Sequence, residues 1–198
     1  MPTKKIIDGI KKFRSDVYPK HKPLFGELGS GQSPEVLLIT CSDSRISPEL
    51  VTQALPGELF VIRNAGNLVE RSGAPGTAGG GTIEYAVKAL KVKHIVVCGH
   101  SHCGAMAGVL NPESLTELPA VAAWLADAGP AKVDSEEPTN EEQVRFNVVE
   151  QLDNLRSHPS VHEAEANGAL ELHAWVYDFV HGSIQSYDAK SQQFSELS

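Results

Sequence analysis

The chain has 198 residues, 25 of them acidic and 17 basic, and a formal net charge of −8 at pH 7. A chain of this length forms one large domain or two small ones and buries enough surface to fold without disulfides. No apolar run approaches the length of a membrane-spanning helix. An acidic chain without a basic run disfavours binding to nucleic acid or to a membrane surface.

The number of cysteines indicates the cellular compartment in which the protein is expected to work. Three cysteines are too few for a disulfide framework and read as reduced thiols that bind metal, act as a nucleophile or pack in the core. The N-terminal residues show no secretory signal pattern. We therefore expect a cytoplasmic protein.

Short apolar runs predict buried strands at Val36–Thr40, Leu59–Ile62 and Ile95–Cys98. Continuous apolar runs of this length are typical of strands covered on both faces, as in a parallel sheet. Residues Leu170–Val176 alternate in polarity, which predicts a strand with one polar face. After a turn, Ile184–Tyr187 is expected to return as a hairpin strand.

Helical periodicity appears between and beside these runs. The N-terminal helix is predicted from Ile6, Ile10, Phe13 and Val17, and a loop is expected over Tyr18–Ser33. The stripe of the helix before the third strand comprises Ile83, Ala86, Val87 and Leu90. A Pro-, Glu- and Ser-rich connection over residues 111–140 is expected to enclose a short helix near Ala120–Ala128.

A longer helix is predicted after that connection. Thr139 and Glu142 resemble a capping box at its start. Its apolar face comprises Val144, Val148, Leu152 and Leu155. Strands alternating with helices predict an α/β fold.

The expected architecture is a mostly parallel central sheet flanked by helices. We expect a single domain over residues 1–198, with an N-terminal helical arm and loop over residues 1–30 and a C-terminal edge strand or hairpin. The glycine-rich segment Gly73–Gly81 lacks the spacing of a dinucleotide-binding or P-loop motif. It is expected to allow close packing before a helix.

Two short motifs each follow a predicted buried strand: Cys41-Ser-Asp-Ser-Arg45 and His100-Ser-His-Cys-Gly104. In open α/β sheets, ligands bind beyond the carboxyl ends of strands. Neighbouring strands would bring together two thiols, Cys41 and Cys103, and the imidazole of His100. Two thiolates and one imidazole suit tetrahedral zinc with an open fourth position, the pattern of a catalytic site.

Charged residues at the end of a buried strand are costly unless they are paired, and a bidentate fork between Arg45 and Asp43 would satisfy both. Cys98, inside an apolar run, is expected to be a packing residue. His102 is open to two interpretations, a proton relay or a partly exposed polar residue. The other histidines have no ligand spacing to one another and are expected to be structural or solvated.

Together these motifs resemble those of the β-class carbonic anhydrases. Further similar segments are Pro56–Phe60, Val61–Asn67 and Glu84–Val87. The resemblance is close over about residues 30–110 and extends to the order of elements beyond.

The resemblance implies a zinc-dependent lyase that reversibly hydrates carbon dioxide to bicarbonate and a proton by a zinc-bound hydroxide. One zinc per chain is expected on Cys41, His100 and Cys103, with Asp43 and Arg45 as the catalytic dyad. In an inactive state, Asp43 is expected to be able to take the fourth position. Backbone N–H groups near Gly104 are expected to support the developing bicarbonate oxygens.

The resemblance also implies a substrate pocket that includes Gln32, Phe60, Ala65 and Tyr85. In the family, Gln32, Phe60 and Tyr85 come from the neighbouring subunit, so a homodimer at least is expected. Ala65 departs from the valine that is common in plant-type members. Leu38 stands where a second subtype carries a Trp that binds inhibitory bicarbonate, which favours the plant-type subgroup.

Two alternatives stay open at this point. One is a non-catalytic zinc module, against which the intact pair of Asp43 and Arg45 argues. The other is a hydrolase of a CO₂-like molecule such as CS₂, which pocket access would distinguish. The lack of a Cys-x-x-Cys pair argues against a thiol-redox enzyme.

Overall fold

The computed structural model of this chain describes most of its residues. The described ranges are 2–73, 78–126, 128–129 and 138–197. Within them, no helix is both long and apolar enough to cross a membrane. The chain divides into two units, Met1–Ser33 and Pro34–Ser198, and the expected single domain stays a prediction.

A central sheet organises the Pro34–Ser198 unit. Its strands in the described part of the chain are β1 (Val36–Cys41), β2 (Leu59–Asn64), β3 (His94–His100), β4 (Glu171–Asp178), β5 (Ser183–Asp188) and β6 (Gln193–Glu196). Their order is β2-β1-β3-β4-β5-β6. Strands β2, β1, β3 and β4 are parallel, and β5 and β6 join antiparallel. The predicted sheet with a C-terminal hairpin is confirmed.

Helices connect the parallel strands. The α-helices of the described residues are α1 (Pro2–Lys12), α2 (Tyr18–Leu28), α3 (Pro48–Thr52), α4 (Ala78–Glu84), α5 (Gly104–Leu110), α6 (Pro119–Leu125), α7 (Asn140–Arg156) and α8 (Pro159–Ala166). A π-helical turn, Tyr85–Leu90, extends α4, and a 3₁₀ turn, Ala65–Asn67, follows β2. The short helices α3, α5 and α8 were not predicted.

The main core lies between the sheet and α7. The apolar side chains with no exposed surface that the first and third strands contribute are Leu37, Ile39, Ile95 and Val97. The predicted apolar face of α7 is buried as well, and its capping box is present between Thr139 and Glu142. The other sheet face carries a smaller cluster around Leu38, Val96 and Cys98.

Gly99 allows the close approach of α7 to β3. A Cβ atom at this position would lie 2.8 Å from Cγ1 of Val148 and 2.9 Å from Cγ1 of Val144. Any side chain here would push α7 away from the strand end that carries His100. The glycine in the second motif thus serves packing beside the candidate site.

The Met1–Ser33 unit is more helical than expected. A π-helical turn, Phe13–Val17, continues α1 into α2, so the predicted loop is wrong as far as the end of α2. The rings of Phe13, Tyr18 and Phe25 lie 5.7–6.4 Å apart, centroid to centroid. This aromatic packing outweighs the weak helix propensity of the Pro- and Gly-rich sequence, including Pro23 inside the helix.

The glycine-rich segment and the connection over 111–140 lie partly outside the described residues. Within the first, residues 78–81 belong to α4 itself and not to a segment before it, and a Cβ at Gly81 would meet nothing within 4 Å, so the expected close packing is not found at that glycine. Within the second, the predicted short helix is present as α6, and it ends three residues earlier than expected.

Candidate metal centre

The two motifs meet at the carboxyl edge of the sheet. β1 ends at Cys41 and the adjacent β3 at His100, while Cys103 precedes α5 as its N-cap. The pairing of Thr40 with Cys98 sets the register of these strands, and Thr40 Oγ1 donates to the Cys98 carbonyl at 2.9 Å. The backbone alone therefore places the two motifs side by side.

The three predicted ligand residues lie together and are buried. The sulfurs of Cys41 and Cys103 and a ring nitrogen of His100 all lie within 4.8 Å of one another. His100 Nδ1 is 2.8 Å from the Ser101 carbonyl oxygen, which can only accept, so Nδ1 carries the proton of the neutral ring. Nε2 then has a free lone pair, and this buried atom has no hydrogen-bond partner among the described residues.

The two thiols are electrostatically unequal. The Cys103 thiol donates to the Cys41 sulfur, which lowers the pKa of Cys41 and raises that of Cys103. The backbone N–H groups of Gly66 and Asp43 also favour the Cys41 thiolate, and Gly66 N lies 3.4 Å from its sulfur. Two thiolates at this separation repel each other, so full ionisation of the pair requires a cation between them.

Asp43 and Arg45 form the predicted bidentate fork beside this cluster. Arg45 Nε lies 2.9 Å from Asp43 Oδ1, Nη2 lies 2.6 Å from Oδ2, and the Arg45 backbone N–H also donates to Oδ1 at 2.9 Å. These bonds hold the pKa of Asp43 well below its usual range. Asp43 Oδ2 is 3.9 Å from His100 Nε2, so the ionised carboxylate faces the cluster.

Arg63 supports the first motif and was missed by the sequence reasoning. Its Nε donates to the Cys41 carbonyl at 3.0 Å, and its Nη2 donates to the carbonyls of Asp43 at 2.9 Å and Ile46 at 3.0 Å. Two signals were available: a charged residue at the end of an apolar run, and its place in the segment Val61–Asn67 that resembles the family. Arg63 thus fixes the backbone that presents both Cys41 and Asp43.

Phe179 is a second residue that the motifs did not reveal. It directly follows β4, whose carboxyl end meets the same edge of the sheet. The Arg45 guanidinium lies 4.6 Å from its ring centroid, and the ring is 5.9 Å from that of His102. Arg45 also donates to the His102 carbonyl at 3.0 Å. Phe179 therefore covers the fork with an apolar, electron-rich face.

A buried polar chain on α7 fixes the turn that donates to Cys41. Asn147 Nδ2 donates to the Gly66 carbonyl at 3.0 Å, Gln151 Nε2 donates to Asn147 Oδ1 at 3.0 Å, and Gln151 Oε1 accepts from Val69 N at 2.8 Å. Gly66 has φ +81°, and a Cβ there would meet α5 at 3.1 Å. The conformation of this turn is thus set by packing on both sides.

The predicted pocket residues fall into two groups. Ala65 lies beside Gly66 and accepts from Trp124 Nε1 at 2.8 Å, and Gly104 is exposed at the start of α5, next to Cys103. The rings of Phe60 and Tyr85 pack on each other with their centroids 6.0 Å apart. Phe60 lies on β2, four residues before its carboxyl end. At about 3.3 Å per residue, Phe60 is about 13 Å from that end. Gln32 belongs to the other unit, and its role stays a prediction.

The fold and the site together define a class of proteins. These are open α/β sheets with a candidate metal site in the crevice at the strand ends. In this chain the site is a buried Cys-His-Cys cluster beside a carboxylate–guanidinium fork. Comparison with known proteins specifies the family. A family model described as carbonic anhydrase matches residues 36–184. The chain therefore belongs to the carbonic anhydrase family, in its β class.

Individual relatives match over nearly the whole chain. A carbonic anhydrase of Pseudomonas aeruginosa is 48% identical over 97% of this chain and 90% of its own length. The structure of the β-carbonic anhydrase CcaA matches with a TM-score of 0.92 at 39% identity, covering 100% of both chains. Tetrameric β-carbonic anhydrases of Sordaria macrospora match with a TM-score of 0.65 at 32% identity, covering 93% of each chain.

Proposed function

We propose that this chain catalyses the reversible hydration of carbon dioxide to bicarbonate and a proton, and that it holds one zinc ion on Cys41, His100 and Cys103. The observation that carries the proposal is the buried Cys-His-Cys cluster with the Asp43–Arg45 fork facing it. A purely structural zinc site does not require that fork, so the fork supports a catalytic role.

The donor atoms are of the elements that zinc prefers, and their protonation leaves them able to bind it. His100 offers a bare Nε2 while its Nδ1–H is anchored on a backbone carbonyl, the arrangement typical of zinc-binding histidines. Backbone N–H groups support both sulfurs, those of Gly66 and Asp43 for Cys41, and those of Met106 and Ala105 for Cys103. When bound, zinc supplies a Lewis acid that lowers the pKa of water toward neutrality.

Asp43 is placed to orient the nucleophile. Its Oδ1 accepts two N–H groups of Arg45 and its Oδ2 accepts one, which leaves a lone pair on Oδ2 toward the cluster. Because Arg45 keeps this carboxylate ionised, Oδ2 accepts a hydrogen bond from the attacking water and turns that water's lone pair toward carbon dioxide. The N–H of Gly104, at the open start of α5, is the proposed donor to the bicarbonate oxygens.

The rest of the substrate pocket is proposed to come from a second subunit. Tyr85 is 49% exposed, although it packs on Phe60, and both are remote from Cys41 along the sheet. We infer that these two rings and Gln32 complete the pocket of a neighbouring chain in a homodimer or larger assembly. The tetrameric Sordaria macrospora proteins support such an assembly. The three free thiols support a reducing, cytoplasmic compartment.

The test measures zinc and activity in matched cysteine variants. We expect about one zinc per chain in the wild type and its loss in Cys41→Ala and Cys103→Ala. Cys98→Ala is the control, because burial raises the pKa of Cys98 to about 12 and this thiol lies outside the cluster. Stopped-flow hydration of carbon dioxide should disappear with the zinc and persist in the control.

Two outcomes would overturn the proposal. Full zinc content in Cys41→Ala or Cys103→Ala would remove the proposed ligand set. A zinc-loaded wild type that does not hydrate carbon dioxide would instead favour a non-catalytic zinc module, or a hydrolase if the same sample consumed CS₂.

A further inference from the structure

A second group of metal-ligating side chains lies at the opposite edge of the sheet. His94 is the first residue of β3, and Glu171 and His173 lie on the adjacent β4, where His94 pairs with Glu171 in register. Their donor atoms all lie within 4.8 Å of one another. His100 lies six positions after His94 along β3, about 20 Å at 3.3 Å per residue, so this group is remote from the Cys-His-Cys cluster.

The two imidazoles point their ring nitrogens at each other. His94 Nδ1 lies 3.2 Å from His173 Nε2. Two nitrogens at about 2.0–2.1 Å from one tetrahedral zinc ion would lie about 3.3 Å apart. The pair therefore already has the separation of two ligands of a single ion, and side-chain packing sets it without any ion.

Glu171 provides the third donor from the same sheet edge. Its Oε2 lies 3.6 Å from His94 Nδ1 and 3.9 Å from His173 Nε2. The Glu171 side chain is 71% exposed, so it can rotate the few tenths of an ångström that a common centre requires. Two histidines and one carboxylate form a well-known ligand set for zinc with an open position for water.

The facing nitrogens of His94 and His173 also suit a metal, because a neutral imidazole binds metal through a ring nitrogen that carries no proton. Without an ion, the same pair can form only a single N–H···N hydrogen bond, which requires opposite roles for the two facing nitrogens.

We propose that His94, Glu171 and His173 bind a divalent zinc ion, with water in the fourth position, and that this ion links β3 to β4 where the two strands begin. It is a structural clip at the amino edge of the sheet. The expectation that these histidines are merely structural or solvated followed from their distance in sequence, which the parallel pairing of β3 and β4 removes.

Zinc uptake at equilibrium tests the proposal. Wild-type protein dialysed against micromolar Zn²⁺ should hold one more zinc per chain than the double variant His94→Gln/His173→Gln, measured by elemental analysis. The matched control is His162→Gln, an exposed histidine on α8, which should retain the wild-type content. Because the measure is this difference, it stands whether or not the Cys-His-Cys cluster is loaded.

Trp175 provides a second readout. Its ring centroid lies 6.2 Å from that of His173, within the range where a paramagnetic ion quenches an indole. The protein for this titration carries zinc in the thiolate cluster only, after mild chelation has emptied the histidine site, and the thiolates keep that zinc. Titration of this protein with Co²⁺ should quench its fluorescence saturably. The quenching should be lost in the double histidine variant and largely lost in Trp175→Phe.

Two results would overturn the proposed zinc site, and one would support Glu171 as its third ligand. Equal zinc content in the wild type and the double variant, with retained far-UV circular dichroism in both, would overturn the proposal and leave the pair as a hydrogen bond. Linear, unsaturable quenching by Co²⁺ that is unchanged in the double variant would do the same. Loss of one zinc per chain in Glu171→Gln as well would support the carboxylate as the third ligand.

Discussion

At the scale of single residues, Arg45 has the largest effect on the charge of the candidate site. It gives three hydrogen bonds to Asp43 and stacks on Phe179. We expect Arg45→Ala to reduce the rate of carbon dioxide hydration about a hundredfold or more, as for the loss of a preorganised electrostatic partner. Zinc content should remain near that of the wild type, since Arg45 does not touch the cluster sulfurs.

Arg71→Ala is the matched control for this change, because Arg71 is exposed and lies outside the site. Stopped-flow rates and elemental analysis measure the two effects separately. Wild-type rates in Arg45→Ala would remove the fork from the mechanism.

Arg63 supports the backbone of the first motif and is not itself a proposed ligand or catalytic residue. It joins the carbonyls of Cys41, Asp43 and Ile46, so its loss should loosen the backbone of the first motif. We expect Arg63→Met to weaken zinc binding about 10–100-fold, the usual effect of removing a residue that supports metal ligands. Competition with a chelator measures this affinity.

Arg63→Lys separates charge from geometry. A single ammonium group cannot reach the three carbonyls as the planar guanidinium does, so Lys should restore only part of the affinity. An unchanged affinity in Arg63→Met would show that β1 and its packing hold the motif alone.

At the scale of secondary-structure elements, the contact of α7 with β3 depends on Gly99. Gly99→Ala would place a Cβ under 3.0 Å from both Val144 and Val148. We expect a destabilisation of about 1–3 kcal/mol, the range for overpacking a close-packed core. Urea denaturation measures it as a lower midpoint.

Gly81→Ala is the control for Gly99→Ala, because Gly81 lies within α4 and a Cβ there meets nothing within 4 Å. Alanine is favoured over glycine inside a helix by about 0.5–1 kcal/mol, so this variant should be neutral or slightly stabilised. A neutral Gly99→Ala would mean that α7 can shift at no cost.

The turn between β4 and β5 contains a pH-dependent ion pair. His181 Nδ1 lies 2.6 Å from Asp178 Oδ2, which lowers the pKa of Asp178 to about 2 and raises that of His181. Stabilisation requires both charges. It is complete between the ordinary pKa values of 3.8 and 6.5, is lost as pH rises through the raised pKa of His181, and is lost as pH falls through about 2.

We therefore expect His181→Gln to lower Tm at about pH 5.5, by at most a few degrees because the pair is exposed. The difference from the wild type should vanish near pH 9, well above an ordinary histidine pKa. His162→Gln should show no such pH dependence. A Tm difference that persists at pH 9 would assign the effect to turn packing.

The elements differ in how far the sequence could predict them. The strands, the face of α7 and its capping box follow from patterns of a few neighbouring residues, and the structure confirms them. The expected burial of the second strand is wrong, because β2 lies at the edge of the sheet and its apolar side chains are only partly buried. The helix α2 did not follow, because contacts among Phe13, Tyr18 and Phe25 outweigh local propensity. The sequence could not predict the contacts of Arg63 and Phe179 or the side-chain contact between His94 and His173. These contacts depend on which strands are neighbours in the sheet. The two motifs of the site were the exception, since their position after strands already implied a common edge.

At the scale of the whole molecule, the distribution of pocket residues predicts an obligate assembly. The proposed ligands lie at the carboxyl edge of the sheet, whereas Phe60 and Tyr85 lie toward the start of β2 and leave Tyr85 half exposed. We expect a dimer at least, with loss of activity on dissociation. Sedimentation at decreasing concentration, with activity measured on the same samples, tests this, and a fully active monomer would contradict it.

Subunit mixing tests whether Tyr85 acts on the neighbouring site. Cys41→Ala and Tyr85→Ala homodimers should each be inactive or weak. A mixed dimer would have one intact site, built from Cys41 of one chain and Tyr85 of the other. Mixing equal amounts should thus restore about one site in four in a symmetric dimer. No recovery on mixing would mean that Tyr85 acts within its own chain.

The position of α7 in the chain has a consequence for synthesis. Cys41, His100 and Cys103 all emerge from the ribosome before α7, which packs on Gly99, holds the Gly66 turn and ends at Arg156. At about 5–20 residues per second, roughly 3–10 s pass between the last of these residues and the end of that helix. For this interval, a nascent chain presents two thiols and an imidazole without the layer that later encloses them. With the proposed ligands, the first metal ion to bind would depend on which ions the cell makes available during translation, before the finished fold can discriminate between them.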